Sequence, residues 1–318
     1  MSSGYLPGFL GTICGYLLIR PARALETNEL PSIVQKYATT AKLAEEAGWD
    51  GVQIHAAHGY LIAQFLSPSA NQRTDKYGGS AEGRKKLLLE VIAAIRKVTS
   101  PSFVVGIKVN TKDRATEGAE RETECLHLIQ ELCGMEQLDF IELSGGGFED
   151  AMFVTTTDSA ATGTFGSFAE RLKSQLQFTE KSPKIVLTGG FRTKAGMQQA
   201  LKQHLCDMIG LGRPVITYPQ FSTKLLASSN DDVQSTCSTL QAPIFGEILD
   251  AALNSLWYQR QLHRISVGLN PNPNLSYLYT LAVSFFLAYI WDFDFGGHAL
   301  YKKNSTGTNT DSNKNKKE

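Results

Sequence analysis

The chain has 318 residues, 42% of them hydrophobic, with 31 basic side chains balancing 31 acidic ones. That composition suits one large globular domain or two small ones, and zero net charge leaves no electrostatic footprint for nucleic acid or an anionic partner. Five scattered cysteines (Cys14, Cys125, Cys133, Cys206, Cys237), with no C-x-x-C pair, argue against a disulfide framework or zinc knuckle and for reduced thiols in the cytoplasm.

Residues 1–22 are apolar but broken by glycine and proline and lack a basic leader, so they predict an irregular segment rather than a secretory signal. Residues 29–47 place Ile33, Tyr37, Ala41 and Ala44 on one helical face, with Thr27 as the cap and Gly48 as the stop. A strand-like run, "GVQIHAA", occupies 51–57. Ser80 then caps a helix over 81–98 whose apolar face carries Leu87, Leu88, Val91, Ile92 and Ile95. Further strand-like runs lie at 103–110, 138–146, 184–190 and 207–213, with helical patterns at 117–133 and 193–204 between them. Beyond these, "FGEILDAALNSLWYQRQLHRI" predicts an amphipathic helix. The 17 uncharged residues from Leu275 to Trp291 reach the lower limit for a bilayer span, so a C-terminal apolar helix within 263–300 carries a candidate membrane segment at 275–291; a buried or interfacial helix is the alternative. The lysine-rich tail, 301–318, predicts disorder.

Strands apolar throughout and joined by helices predict a parallel sheet. No G-x-G-x-x-G opens a helix after a strand, which weighs against a dinucleotide-binding doubly wound sheet. Polar and glycine residues gather at the strands' C-terminal ends, where a (β/α)8 barrel builds its active site, and the barrel is the expected closure. Such a barrel needs eight strands and about 250 residues; five strands are visible. The chain is therefore expected to be a partial barrel or to complete itself as a homo-oligomer.

Three clusters invite chemistry. His55-x-x-His58 at a strand end suits zinc, except that no third ligand stands at a recognisable spacing. Two neutral imidazole N–H groups converging on one oxygen would instead stabilise negative charge there, and the Tyr60 phenol could deliver a proton to a nearby carbon. A polar turn without chemistry is the third reading. Lys108 in "VVGIKVN" reads either as a site cation or as a lysine extending from a strand end. Gly189 and Gly190 in "LTGGF", with Gly212 and Arg213 in "GLGRP", suit a phosphate cradle or ordinary turns. "SGGG" at 144–147 reads as a loop after a strand.

The stretch "HAAHGYLIAQFLSPSANQRTDKYGGS" resembles the signature of the old yellow enzyme family, FMN-dependent NAD(P)H oxidoreductases that act as ene-reductases. The resemblance runs from "RALETNELPSIV" to "IGLGRPVITYP", Arg23 to Pro219. It implies a TIM barrel of the FMN-linked type over 23–262, with FMN as cofactor, NAD(P)H as reductant and an α,β-unsaturated carbonyl (an enone or related electrophile) as substrate. His55 and His58 would hold the substrate oxygen, and Tyr60 would protonate its α-carbon. Lys108 would face the N1/C2 edge of the flavin, and Gly189, Gly190, Gly212 and Arg213 would hold its phosphate. The family's first three strands are not visible, and with them go the residues along the flavin's N3, O4 and N5 edge. The alternative is thus a non-catalytic, truncated barrel that does not retain FMN. Where the family has a Leu-Glu-Asn-Arg run after "GGS", this chain has "AEGR", and Gly83 should weaken its helix by up to about 1 kcal/mol.

Overall fold

Short β-branched runs cannot bury both faces of a helix, but they suit strands closed over by amphipathic helices. The computed structural model describes residues 23–111, 118–145, 165–176, 178–229, 233 and 247–290. The expectations for segment 1–22, Gly146, Gly147, Cys14, Cys237, Trp291 and the tail 301–318 lie outside these residues. The chain divides into two compact units, 1–251 and 252–318, whereas the sequence places the end of the barrel segment at 262.

In the first unit, α1 (Leu30–Glu46) leads into β1 (Gly51–Ala56). α2 (Leu61–Leu66) and α3 (Ala81–Val98) follow, then β2 (Val104–Asn110), α4 (Gly118–Gly134) and β3 (Phe140–Ser144). After them come α5 (Gly166–Gln175), β4 (Lys184–Thr188), α6 (Lys194–Lys202), β5 (Met208–Gly210), α7 (Arg213–Thr217) and α8 (Phe221–Ala227). All five strands expected from the sequence are present in one sheet of order β1-β2-β3-β4-β5, and every pairing is parallel. A doubly wound sheet must reverse its strand order at a switch point. This one never does, and such monotonic winding builds a barrel wall.

Side chains alternate across the wall. Ile54, Val105, Ile107, Val109, Ile141, Leu143, Ile185 and Leu187 are buried in one core with the helices, including Leu87, Leu88, Val91, Ile92 and Ile95 of α3. Each Leu or Ile buried this way contributes roughly 1.5–3 kcal/mol. The opposite face carries the polar side chains of the sheet, and the in-register pairing sets His55, Lys108 and Glu142 on one rung with Val186 and Met208 across all five strands. Gly106 lies under the Phe140 ring, where any Cβ would collide with it.

Caps follow local chemistry. The Ser80 hydroxyl accepts from the Gly83 N–H at 3.1 Å, as its position predicts. Gly83 is explained by proximity, since a Cβ there would meet the Gly78 carbonyl. Gly48 ends α1 at φ +84°. Thr27, expected to cap α1, lies instead in a 3-10 turn (Thr27–Glu29), and its hydroxyl bonds Asp75; Glu26 and Glu29 form a capping box. The reciprocal carboxylate pairing leaves the threonine for the loop.

Near the C-terminus, α9 (Glu247–Ser266) and α10 (Tyr277–Ile290) are joined by a turn held by α9 side chains. Gln261 brackets Asn272, donating to its carbonyl at 2.9 Å and accepting from its N–H at 2.8 Å. The Trp257 indole donates to the Leu275 carbonyl at 2.8 Å, and its ring stacks on Tyr277 at 5.7 Å. α10 covers part of the candidate membrane segment at 275–291. Its 14 residues rise about 21 Å against a hydrocarbon core of about 30 Å. No helix among the described residues is long and apolar enough to cross a membrane.

Candidate active site

β1 delivers His55 on its exposed face, and the chain then turns sharply. His58 takes φ +59° and Gly59 φ +74°, the left-handed region that costs a non-glycine residue about 1 kcal/mol or more. Three contacts hold the turn. The His58 N–H donates to Asn110 Oδ1 at 3.1 Å, His58 Nε2 pairs with Ser144 Oγ at 2.7 Å, and Gln64 Nε2 donates to the Gly59 carbonyl at 2.7 Å. The result brings three rings together. His55 and His58 lie 5.1 Å apart, edge to face, and His55 and Tyr60 lie 4.8 Å apart. Tyr60 is 49% exposed, open to a reactant from solvent.

Lys108 lies level with His55 on β2, and its Nζ is 2.9 Å from Glu142 Oε1 on β3. Gln53 Nε2 donates to the other Glu142 oxygen at 2.7 Å. Burial opposes the charge on Glu142, but the Lys108 and Gln53 hydrogen bonds outweigh it and hold this carboxyl below the usual range. Burial, with Lys108 nearby, lowers the pKa of both histidines, and His58 falls to about 4. Near neutral pH both rings are therefore uncharged, each carrying one N–H. Among the described residues, no cluster of three or more His, Cys, Asp or Glu could hold a metal ion.

The rest of the signature stretch is scaffold. Buried Asn71 donates to the carbonyls of Phe65 at 2.7 Å and Tyr77 at 2.8 Å. Arg73 Nε pairs with Asp75 at 3.0 Å, and the Tyr77 hydroxyl donates to Glu90 at 2.9 Å. Arg84 pairs with Glu124 at 2.6 Å. The Cys125 thiol donates to the Asn110 carbonyl at 3.0 Å, and burial raises the thiols of Cys133 and Cys206 to about 11, away from nucleophilic chemistry.

A second group of expected residues lies further along the same rim. Gly189 and Gly190 leave β4 at φ +121° and φ +79°, and the Thr188–Gly210 rung sets them beside the end of β5, where Gly212 leads into α7 at Arg213. A Cβ on Gly210 would strike the Thr188 hydroxyl. Next to the glycine pair, Arg192 Nη2 is buried with no acceptor among the described residues, a donor suited to a phosphate oxygen. Glycine turns and a buried guanidinium spread along one rim in this way fit a phosphorylated cofactor such as flavin mononucleotide.

Comparison with known proteins decides the assignment. The model of the NADH:flavin oxidoreductase / NADH oxidase family matches residues 12–232, well over half of the chain. The chain belongs to this family, the old yellow enzymes. It is 34% identical to the NADH-dependent flavin oxidoreductase iliE of Hypocrea jecorina over 76% of this chain and 59% of that one. With the NADH-dependent flavin oxidoreductase nadA of Aspergillus parasiticus it shares 39% identity over 64% of this chain and 45% of that one. Among solved structures it is similar to morphinone reductase in complex with tetrahydroNAD, at 29% identity and TM-score 0.51 over 66% of this chain and 52% of that one. An old yellow enzyme homologue from Zymomonas mobilis gives 26% identity and TM-score 0.54, over 69% and 57% of the respective chains. The chain thus spans about half the length of the relatives it matches. The family is one of oxidoreductases, with FMN as cofactor and a nicotinamide as reductant, and the sheet is five strands' worth of its (β/α)8 barrel.

Sequence reasoning missed Glu142, Gln53 and Ser144. Their signal was present: a charged or polar side chain inside an apolar strand, on the face that alternation assigns to His55 and Lys108.

Proposed function

We propose that this chain reduces the activated C=C bond of an α,β-unsaturated carbonyl compound, using FMN and NAD(P)H. The observation that carries the reading is the convergence of His55, His58 and Tyr60 at the end of β1, with ring separations of 5.1 and 4.8 Å, on the sheet face that also bears Lys108. FMN, when bound, supplies hydride transfer from the nicotinamide to the substrate's β-carbon. The uncharged imidazoles of His55 and His58 donate N–H to the carbonyl oxygen and stabilise the charge that grows there. The Tyr60 phenol gives its proton to the α-carbon. Lys108 holds the cofactor's N1/C2 edge. Its ion pair with Glu142 fixes the ammonium in place, so it orients more than it attracts. Backbone N–H groups of Gly189, Gly190 and Gly212, together with the Arg213 guanidinium, hold the phosphate.

Purification with FMN, followed by a visible spectrum and an NAD(P)H-consumption assay with a simple cyclic enone, tests the proposal. The expected result is a yellow protein that consumes the enone. A folded, colourless protein that takes up no FMN at saturation would make the chain a non-catalytic portion of the barrel.

A further inference from the structure

One contact in the site decides a proton position that neither the family assignment nor the ring geometry settles. Neutral imidazole carries a single N–H, on Nδ1 or on Nε2, and the hydrogen bond at one nitrogen selects the tautomer. Burial and the nearby Lys108 and His55 keep His58 neutral, with Glu142 acting the other way. His58 Nε2 lies 2.7 Å from Ser144 Oγ. Ser144 is 5% exposed at the end of β3, and its main-chain carbonyl is taken by the Thr111 N–H at 2.7 Å. Its hydroxyl has one hydrogen to place, and among the described residues the imidazole is the one partner recorded for it. Were Nε2 to donate to this oxygen, the buried serine hydrogen would be left without an acceptor, at a cost comparable to a lost hydrogen bond. The reverse arrangement satisfies both groups.

We infer that Ser144 donates its hydroxyl hydrogen to His58 Nε2 and so fixes His58 as the Nδ1–H tautomer, which makes Ser144 the positioning residue of the histidine pair. The proton of His58 then resides on Nδ1, and it is this N–H that the ring brings to a substrate oxygen. With the opposite tautomer the ring would offer that oxygen a lone pair. Asn110 supports the same arrangement from the main chain. Its side-chain Oδ1 accepts the His58 backbone N–H at 3.1 Å, and it pairs with Ser144 across β2 and β3, so one rung locks both the left-handed turn and the ring behind it. The role of this N–H in substrate binding rests on the proposed function; the tautomer itself does not.

The test is therefore made on the protein without flavin. Nitrogen NMR of isotope-labelled histidines, assigned by comparison with His58→Asn, reads which ring nitrogen is protonated at neutral pH. The expected spectrum shows Nε2 in the deprotonated, pyridine-like region and Nδ1 in the protonated, pyrrole-like region. Ser144→Ala should move His58 toward the Nε2–H form, and Ser144→Thr, which keeps the hydroxyl, should restore the original pattern. A protonated Nε2 in the unaltered protein overturns the inference, as does an unchanged tautomer in Ser144→Ala. Should the alanine variant fail to fold, the unaltered protein and the threonine variant still decide the matter. A confirmed Nδ1–H tautomer in a protein that reduces no enone would leave the inference standing and remove the proposed function instead.

Discussion

His58 is a β-carbon-bearing residue held in a backbone region that glycine normally fills, and residues that persist there do so because their surroundings over-determine them. The ring's low pKa has a thermodynamic consequence. An unfolded histidine titrates at 6.5 and folded His58 at about 4, so the unfolded chain binds this proton first as pH falls. The stability His58 contributes is complete above 6.5, erodes through the window down to about 4 and is absent below it. Urea midpoints measured across that window should fall more steeply for the native protein than for His58→Gln; parallel curves would show that the ring is not buried neutral. Tyr60 can be tested by its hydroxyl alone. In FMN-loaded protein, Tyr60→Phe should slow enone reduction by roughly 10²–10⁴-fold while reduction of the flavin by NAD(P)H is unchanged. Full-rate enone turnover in that variant would assign the proton to another group. At this scale the sequence was informative where chemistry is local, since two histidines and a tyrosine within six positions had to lie close together. It marked Ser144 as a polar side chain on the site face but could not show its contact with His58, 86 residues away, which only strand pairing creates.

Among the elements, the strands were the most legible because a parallel strand, buried by helices, advertises itself as an apolar run. The helix over 81–98 is legible because its Ser80 cap and its apolar face agree. Shorter elements such as α2 and α7 are set by tertiary contacts rather than by periodicity and left little trace. Thr27 shows how one cap is displaced by another, because two glutamates closed a capping box before the threonine could. Two substitutions test the packing of these elements. Ser80→Ala removes the one side-chain cap of α3 and should destabilise the first unit by about 1 kcal/mol, read as a lower denaturant midpoint. Gly106→Ala forces a methyl into the Phe140 ring and should cost about 1–3 kcal/mol. The paired change Gly106→Ala with Phe140→Leu should recover part of that loss. If it recovers none, the clash is not with the ring.

At the scale of the molecule, the sheet's order carries the assignment. Five strands in chain order, all parallel, mark the wall of a barrel, and the count from sequence was right for the residues described. Composition and periodicity could supply the fold class. They could not show that the inner face carries a Gln53–Glu142–Lys108 network, because such pairs exist only once β1, β2 and β3 lie side by side. β1 and β5 each have a single strand neighbour among the described residues. Backbone groups along such margins pair readily with other chains. This chain on its own should therefore self-associate with rising concentration, visible as an increasing sedimentation coefficient, and bound FMN should suppress the effect if it orders the rim; an unchanging monomer would mean the margins are covered.

The monotonic strand order also sets a timetable. A ribosome releases the histidine–tyrosine turn first and the glycine–arginine segment last, with synthesis of the intervening chain taking on the order of ten seconds. In the proposed binding mode, in which FMN is gripped at both ends, the nucleotide would be captured only after β5 has emerged. Flavin starvation should then leave an assembled but empty protein that a later supply of cofactor can still fill.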